Sequence, residues 1–168
     1  MKLSSNEINS LKILFSRIDL KSYPELLHLK DKLSPKITVD LYIDGSADLK
    51  TKTAGIGGVI FIDNKESHSF SEYLHDSTNN EAEYEALIYG LELLLKNNYL
   101  SVNIFSDSQL VVNQVNGLYK VKNERMKLLH SRTISLINNL ENWNFSHVMR
   151  EKNKVADSYA DAGRRQSK

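Results

Sequence analysis

LYIDGSADLK, Leu41–Lys50, opens as a β-strand and then changes character. Val39, Leu41 and Ile43 alternate toward a buried face, and the run reaches Asp44 just ahead of Gly45 and Ser46. Two readings compete for that aspartate. Asp-Gly is a frequent turn pair, which makes Asp44 a turn-former. A carboxylate delivered at the end of a buried strand is also where chemistry can be placed. The rest of the chain has to decide between them.

Outward from this stretch, ITVDLYIDGS reads as a first strand and AGIGGVIFID as a second, with glycines that allow close packing. SHSFSEYL reads as a third, and three such runs in succession predict an antiparallel meander. A long helix, NNEAEYEALIYGLELLLKNN, follows. Then come a short buried strand, SVNIFSDS, and a short helix, SQLVVNQVNG, stopped by Gly117. NERMKLLHSRTISLINNL is a further helix, WNFSHVMR the last strand and NKVADSYADAGRR the closing helix. Strands first and strand–helix alternation later predict a mixed α/β domain over residues 37–168, with helices laid on the sheet. Residues 1–36 read as a separate helical extension. Ser4 and Ser5 are candidate caps for a helix with Ile8, Leu11, Leu14 and Phe15 on one stripe. Pro24 opens a second helix, PELLHLKDKL, and Ser34-Pro35 breaks the chain. A hairpin capping the main domain is the expected role, with a substrate-holding or dimerising module as the alternative.

Composition narrows the classes. The 168 residues suffice for one domain with a real core and a small appendage. There is no cysteine, which excludes a disulfide framework, zinc-thiolate sites and thiol catalysis. MKLSSNEINS has no apolar signal core and no run is long enough to span a bilayer, so a cytoplasmic protein that does not enter membranes is expected. The net charge of +1 is not the footprint of a generally basic nucleic-acid binder. A polyanion would have to be met by a local patch, or by a metal held on carboxylates.

The acids supply the sharper signal. With about 100° per residue and Glu83 set at zero, Ala86, Leu87, Gly90, Leu91 and Leu94 all fall within roughly 80° of it. Glu81, Glu85 and Glu92 fall opposite, on the face expected to be solvated. Glu83 alone sits amid the apolar stripe, where an unpaired carboxylate is costly. Asp107 ends the strand NIFSDS, and Asp157 stands in the first turns of the last helix. Each has a local explanation: a first-turn acid favoured by the helix dipole, an N-cap, a solvated acid. Together they read differently. Residues at the carboxyl ends of strands and at the following helix starts gather at one sheet edge. Four carboxylates converging there would repel one another unless hard divalent cations relieved them. Two such ions form a clamp for in-line displacement at phosphorus.

In order along the chain, YIDGSA, AGIGGVIF, TNNEAEYEAL, FSDSQLVVNQV and REKNKVAD resemble the segments of the type I ribonuclease H family, in its reverse-transcriptase-like branch. The likeness covers about residues 38–165. It implies a five-stranded mixed sheet, three antiparallel strands and then two parallel ones, flanked by helices. It also implies an endonuclease that hydrolyses the RNA strand of RNA–DNA hybrids, leaving 5′-phosphate and 3′-hydroxyl ends. Asp44, Glu83, Asp107 and Asp157 then match the family's four acids, holding two Mg²⁺ ions with Mn²⁺ as a substitute. Gly45, Ser46, Thr78, Asn79, Asn80, Ser108, Gln109, Lys122 and Arg150 match positions that touch nucleic acid. Asn and Gln amides suit that work because they donate and accept without a charge to neutralise. For Thr78, Asn79, Asn80 and Gln109 helix capping is the competing role. A hybrid partner and a monomeric chain complete the expectation.

Three departures stand out. MREKNKV holds Arg150, Lys152 and Lys154 but no histidine where well-known bacterial members carry one; His147 lies upstream in the apparent strand FSHVMR. The basic protrusion is weak, reduced to Lys120, Lys122, Arg125 and Lys127. The first 36 residues do not resemble a hybrid-binding domain. Asp161, one turn after Asp157, is a rival fourth acid, although the N-x-x-A-D spacing favours Asp157. Two other functions compete: a binding module with idle acids, and a related nuclease for another duplex. A fold alone cannot exclude either.

Overall fold

A computed structural model describes residues 3–19, 22–33 and 37–166, and the chain divides into two compact units, residues 1–37 and 38–168. The first unit contains α1 (Ser5–Phe15) and α2 (Pro24–Leu33). Ser4 caps α1: its backbone N–H and its hydroxyl donate to Glu7 Oε2 at 2.7 and 2.6 Å, and the Glu7 N–H donates to the Ser4 hydroxyl at 3.4 Å. Pro24 stands at the first position of α2, where its missing N–H costs nothing. The Ser34-Pro35 break and the boundary expected at residue 36 lie outside the described residues.

The second unit is a five-stranded mixed sheet in the order β3-β2-β1-β4-β5. Its strands are β1 (Val39–Asp48), β2 (Thr53–Ile62), β3 (Lys65–His75), β4 (Ser101–Ser106) and β5 (Asn142–His147). The first three form the expected antiparallel meander, and β4 and β5 join in parallel. Between and after them run α3 (Asn79–Lys96), α4 (Gln109–Val115), α5 (Glu124–Ile137) and α6 (Lys154–Arg165). Leu41, Ile43, Ile60, Leu87, Leu91 and Ile104 are fully buried between the sheet and α3 and its neighbours. Each such side chain contributes about 1.5–3 kcal/mol relative to exposure.

The quoted stretch does not turn at Gly45-Ser46. β1 continues through both to Asp48, still paired residue by residue with β2, and the turn comes at residues 49–52 with Lys52 at φ 55°. Gly45 serves a different need. A Cβ there would stand 2.3 Å from the backbone nitrogen of Glu83, so the absent side chain lets α3 lie directly on the strand. Gly55 and Gly57 do the same on the other face, where a Cβ would come within 2.1 Å of the backbone nitrogens of Arg164 and Ala160. The register explains the division: Gly45 is opposite Ile56, and its neighbours in β2 point the other way. α3 and α6 thus clamp the sheet from opposite faces through glycine contacts. Gly45→Ala is expected to cost about 2–3 kcal/mol, the upper range for overpacking, because backbone rather than a flexible side chain must give way. Urea denaturation of wild type and variant measures it.

Two helical expectations need correction. Glu81 is not solvated; it is buried, because it closes a capping box with Thr78 and pairs with Arg125 Nε at 2.7 Å from α5. Asp107 does not cap α4: the N-cap position is Ser108, whose backbone N–H donates to Ser106 Oγ at 2.9 Å.

Candidate active site

The site follows from where the parallel pairing stops. β1 and β4 are in register from Asp40↔Asn103 to Tyr42↔Phe105. Continuing that register by two residues brings Asp44 alongside Asp107, just past the end of β4. The contact at Gly45 seats the first turns of α3 over the same spot and delivers Glu83. One carboxylate oxygen from each of Asp44, Glu83 and Asp107 lies within 4.8 Å of the others. Asp44 and Glu83 are buried and Asp107 is half-buried. They line a cleft of about 210 Å³ with Gly45, Ser46, Asn79, Ser108, Arg150 and Asp157.

Few donors offset this charge. Ser106 Oγ, fully buried, donates to Glu83 Oε2 at 3.4 Å, and the Gly45 N–H also donates to the Glu83 carboxylate. Asn153 Nδ2 donates to Asp107 Oδ1 at 3.2 Å and to the Ile43 carbonyl at 2.9 Å, tying strand and acid together. Burial, and then the charge of Asp107, push the Asp44 carboxyl from its ordinary 3.8 up to about 8, with Arg150 opposing. Burial and then the Asp44 charge raise Glu83 well above the carboxylate range. A closely spaced, oxygen-only donor set that cannot ionise comfortably by itself fits a hard divalent cation.

Asp157 lines the cleft from the first turn of α6 but is held by Arg150, whose Nη2 donates to its Oδ1 at 2.5 Å. The rival Asp161 is engaged elsewhere: it accepts from Ser46 Oγ at 2.8 Å and from Arg164 at 3.2 Å, and does not line the cleft. Of the polar positions, Gly45, Ser46, Asn79, Ser108 and Arg150 line the cleft, whereas Thr78, Asn80, Gln109 and Lys122 do not. Thr78, not Asn79, caps α3; Asn79 Oδ1 instead accepts from the Ala47 N–H at 3.2 Å, fastening α3 to β1. His147 is the exposed last residue of β5, so the strand ends before Val148, and it does not line the cleft. Sequence reasoning missed Asn153 and Ser106 as supports. The signal for Asn153 was its place just before the helix that carries Asp157.

Residues 42–163 match the profile of the reverse transcriptase-like family. Over 124 residues the chain is 29% identical to Ribonuclease HI of Halobacterium salinarum, covering 73% of this chain and 62% of that protein. Over 120 residues it is 30% identical to the bifunctional protein Rv2228c of Mycobacterium tuberculosis, covering 70% of this chain and 33% of that protein. The chain therefore spans less than two thirds of these curated relatives. Among solved structures, RNase H1 of Halobacterium salinarum superposes with a TM-score of 0.73 at 27% identity, covering 77% of this chain and 99% of that one. LC11-RNase H1, solved in complex with an RNA/DNA hybrid, superposes at 0.70 and 34% identity, covering 77% and 98%.

Proposed function

The chain belongs to the reverse transcriptase-like family of ribonuclease H-fold proteins, and from that premise we propose that it is a metal-dependent endonuclease cutting the RNA strand of RNA–DNA hybrids. The observation that carries this reading is the cluster of Asp44, Glu83 and Asp107, brought within 4.8 Å from three separate elements at one sheet edge. The hybrid bound to LC11-RNase H1 supports the choice of substrate.

Asp44, Glu83 and Asp107, joined by Asp157, would hold Mg²⁺, with Mn²⁺ as a substitute. Bound there, such ions supply Lewis-acid polarisation of a phosphodiester and a more acidic water. The chain's own residues do the rest. Asn153 holds the Asp107 carboxylate in place, and Ser106 orients Glu83. Arg150 places a positive charge at the rim of an otherwise acidic cleft, where a phosphate has to approach. The Asn79 amide and the Ser108 hydroxyl offer neutral donors and acceptors to the two strands. Selection of RNA would rest on the 2′-hydroxyl of the cut strand. The cleft is built within residues 38–168, which fits a monomer. No described helix is long and apolar enough to cross a membrane.

The test is incubation of a labelled hybrid with Mg²⁺ or Mn²⁺ beside single-stranded RNA, duplex DNA and double-stranded RNA. Only the RNA strand of the hybrid should be cut, with 5′-phosphate and 3′-hydroxyl ends. Metal binding without cleavage of any substrate would return the chain to the binding-module reading. Preference for another duplex would reassign the substrate.

A further inference from the structure

Behind the acid cleft, between the first half of β1, the end of β2 and the start of α6, lies a second cavity of about 270 Å³. It is lined by Tyr42, Phe61, Asp40, Lys152, Asn153 and Val155, among others. Of these residues Asn153 hydrogen-bonds to the acid cluster, at Asp107. α6 covers the glycine half of β2 and leaves this aromatic half open. Tyr42 stacks on Phe105 at 4.7 Å and 23°, and meets Phe61 edge to face at 5.9 Å and 88°. An aromatic wall is thus joined by a carboxylate and by an exposed lysine. Asn153 adds an unusual feature. It is 1% exposed, its amide nitrogen is fully used by Ile43 and Asp107, and its Oδ1 is buried without a hydrogen-bond partner. A buried acceptor left unpaired costs about 1–3 kcal/mol.

We propose that this cavity binds a nucleobase bearing an exocyclic amine, its ring against Tyr42 and Phe61 and its phosphate toward Lys152. The aromatic rings supply a stacking surface that tolerates any base. Asp40 supplies the acceptor, which an amine matches and a carbonyl does not. Lys152 supplies a point charge for phosphate. Two sources share this chemistry: a free mononucleotide, and an unpaired nucleotide at the end of a bound strand.

The experiment is calorimetric titration of the full chain with AMP in EDTA, so that metal bound at the acid cleft cannot recruit the phosphate. This readout is independent of cleavage and so of the proposed nuclease activity. Binding with a dissociation constant between about 10 µM and 1 mM is expected. Phe61→Ala should weaken it about 10-fold, the scale of a lost stacking contact. Val155→Trp, a change at a partly exposed helix position that fills the cavity, should abolish it without unfolding the chain, as circular dichroism checks. Asp44→Asn should leave it unchanged. IMP, which lacks the amine, should bind at least several-fold more weakly. A tetranucleotide that binds much more tightly than AMP identifies a strand end as the natural occupant, and equal affinity identifies a free nucleotide. Absence of AMP binding at about 1 mM, or binding indifferent to both Phe61→Ala and Val155→Trp, overturns the proposal.

Discussion

Asp44→Asn is expected to lower hybrid cleavage by about 10³-fold or more while making the metal-free protein more stable. The two effects have one cause. Asp44 is central to the cluster, buried, and within reach of both Glu83 and Asp107. Removing one negative oxygen weakens the grip on a divalent ion. The transition-state stabilisation such an ion supplies is worth several kcal/mol, and each 1.36 kcal/mol is a factor of ten. Without metal the same charge is a burden, because it repels its neighbours across a few ångströms of partly dry protein. Asparagine keeps the shape and removes the repulsion. Cleavage rates with Mg²⁺, paired with thermal melts in EDTA at about pH 8, test both halves. A variant that is inactive and also less stable would show that Asp44 is a packing residue, and would remove the electrostatic reading of the cluster.

The second large effect is on pH dependence. Asp44 is raised from its ordinary 3.8 to about 8 and Glu83 is raised as well, so the folded state binds protons more tightly than the unfolded chain. For such groups stability is fully present below the unfolded values. It is lost as pH rises toward the folded ones. The metal-free protein should therefore lose melting temperature between about pH 5 and pH 8, unlike proteins governed by salt-bridged acids. At 1.36 kcal/mol per pH unit and about 2–4 °C per kcal/mol, the fall is on the order of 10 °C. Saturating Mg²⁺ should reverse it at the alkaline end, adding about 2.7 kcal/mol at one hundred times its dissociation constant. The lowered acids Asp48 and Asp161 are partly exposed and act only at more acidic pH. A melting temperature that stays flat from pH 5 to pH 8 in EDTA would show that the carboxylates are not forced together in solution.

Much of this was legible in the sequence because period and punctuation are local. The meander, the helix faces and the isolation of Glu83 on an apolar stripe follow from spacing alone. The convergence of Asp44, Glu83 and Asp107 followed from the general rule about strand ends, and the structure brings them together. What failed was whatever a second element decides. Asp-Gly reads as a turn, yet β2 holds β1 extended through it and α3 occupies the space that Gly45 leaves. Glu81 reads as solvated on a wheel, but α5 covers it with Arg125. Asn153 is marked only by its place just before the helix that carries Asp157, since its partners, Ile43 and Asp107, lie far away along the chain.

The strand order has a further consequence, for how the protein comes to be active as it folds. The meander of β1, β2 and β3 closes through short connections and can form early. β1 meets β4 only after β2, β3 and all of α3 have been looped out, and such distant pairings are the slow ones. Asp44 sits on the near side of that closure and Asp107 on the far side. The charge cluster therefore assembles with the pairing of the sheet that spans the most chain, so recovery of metal affinity on refolding marks that closure.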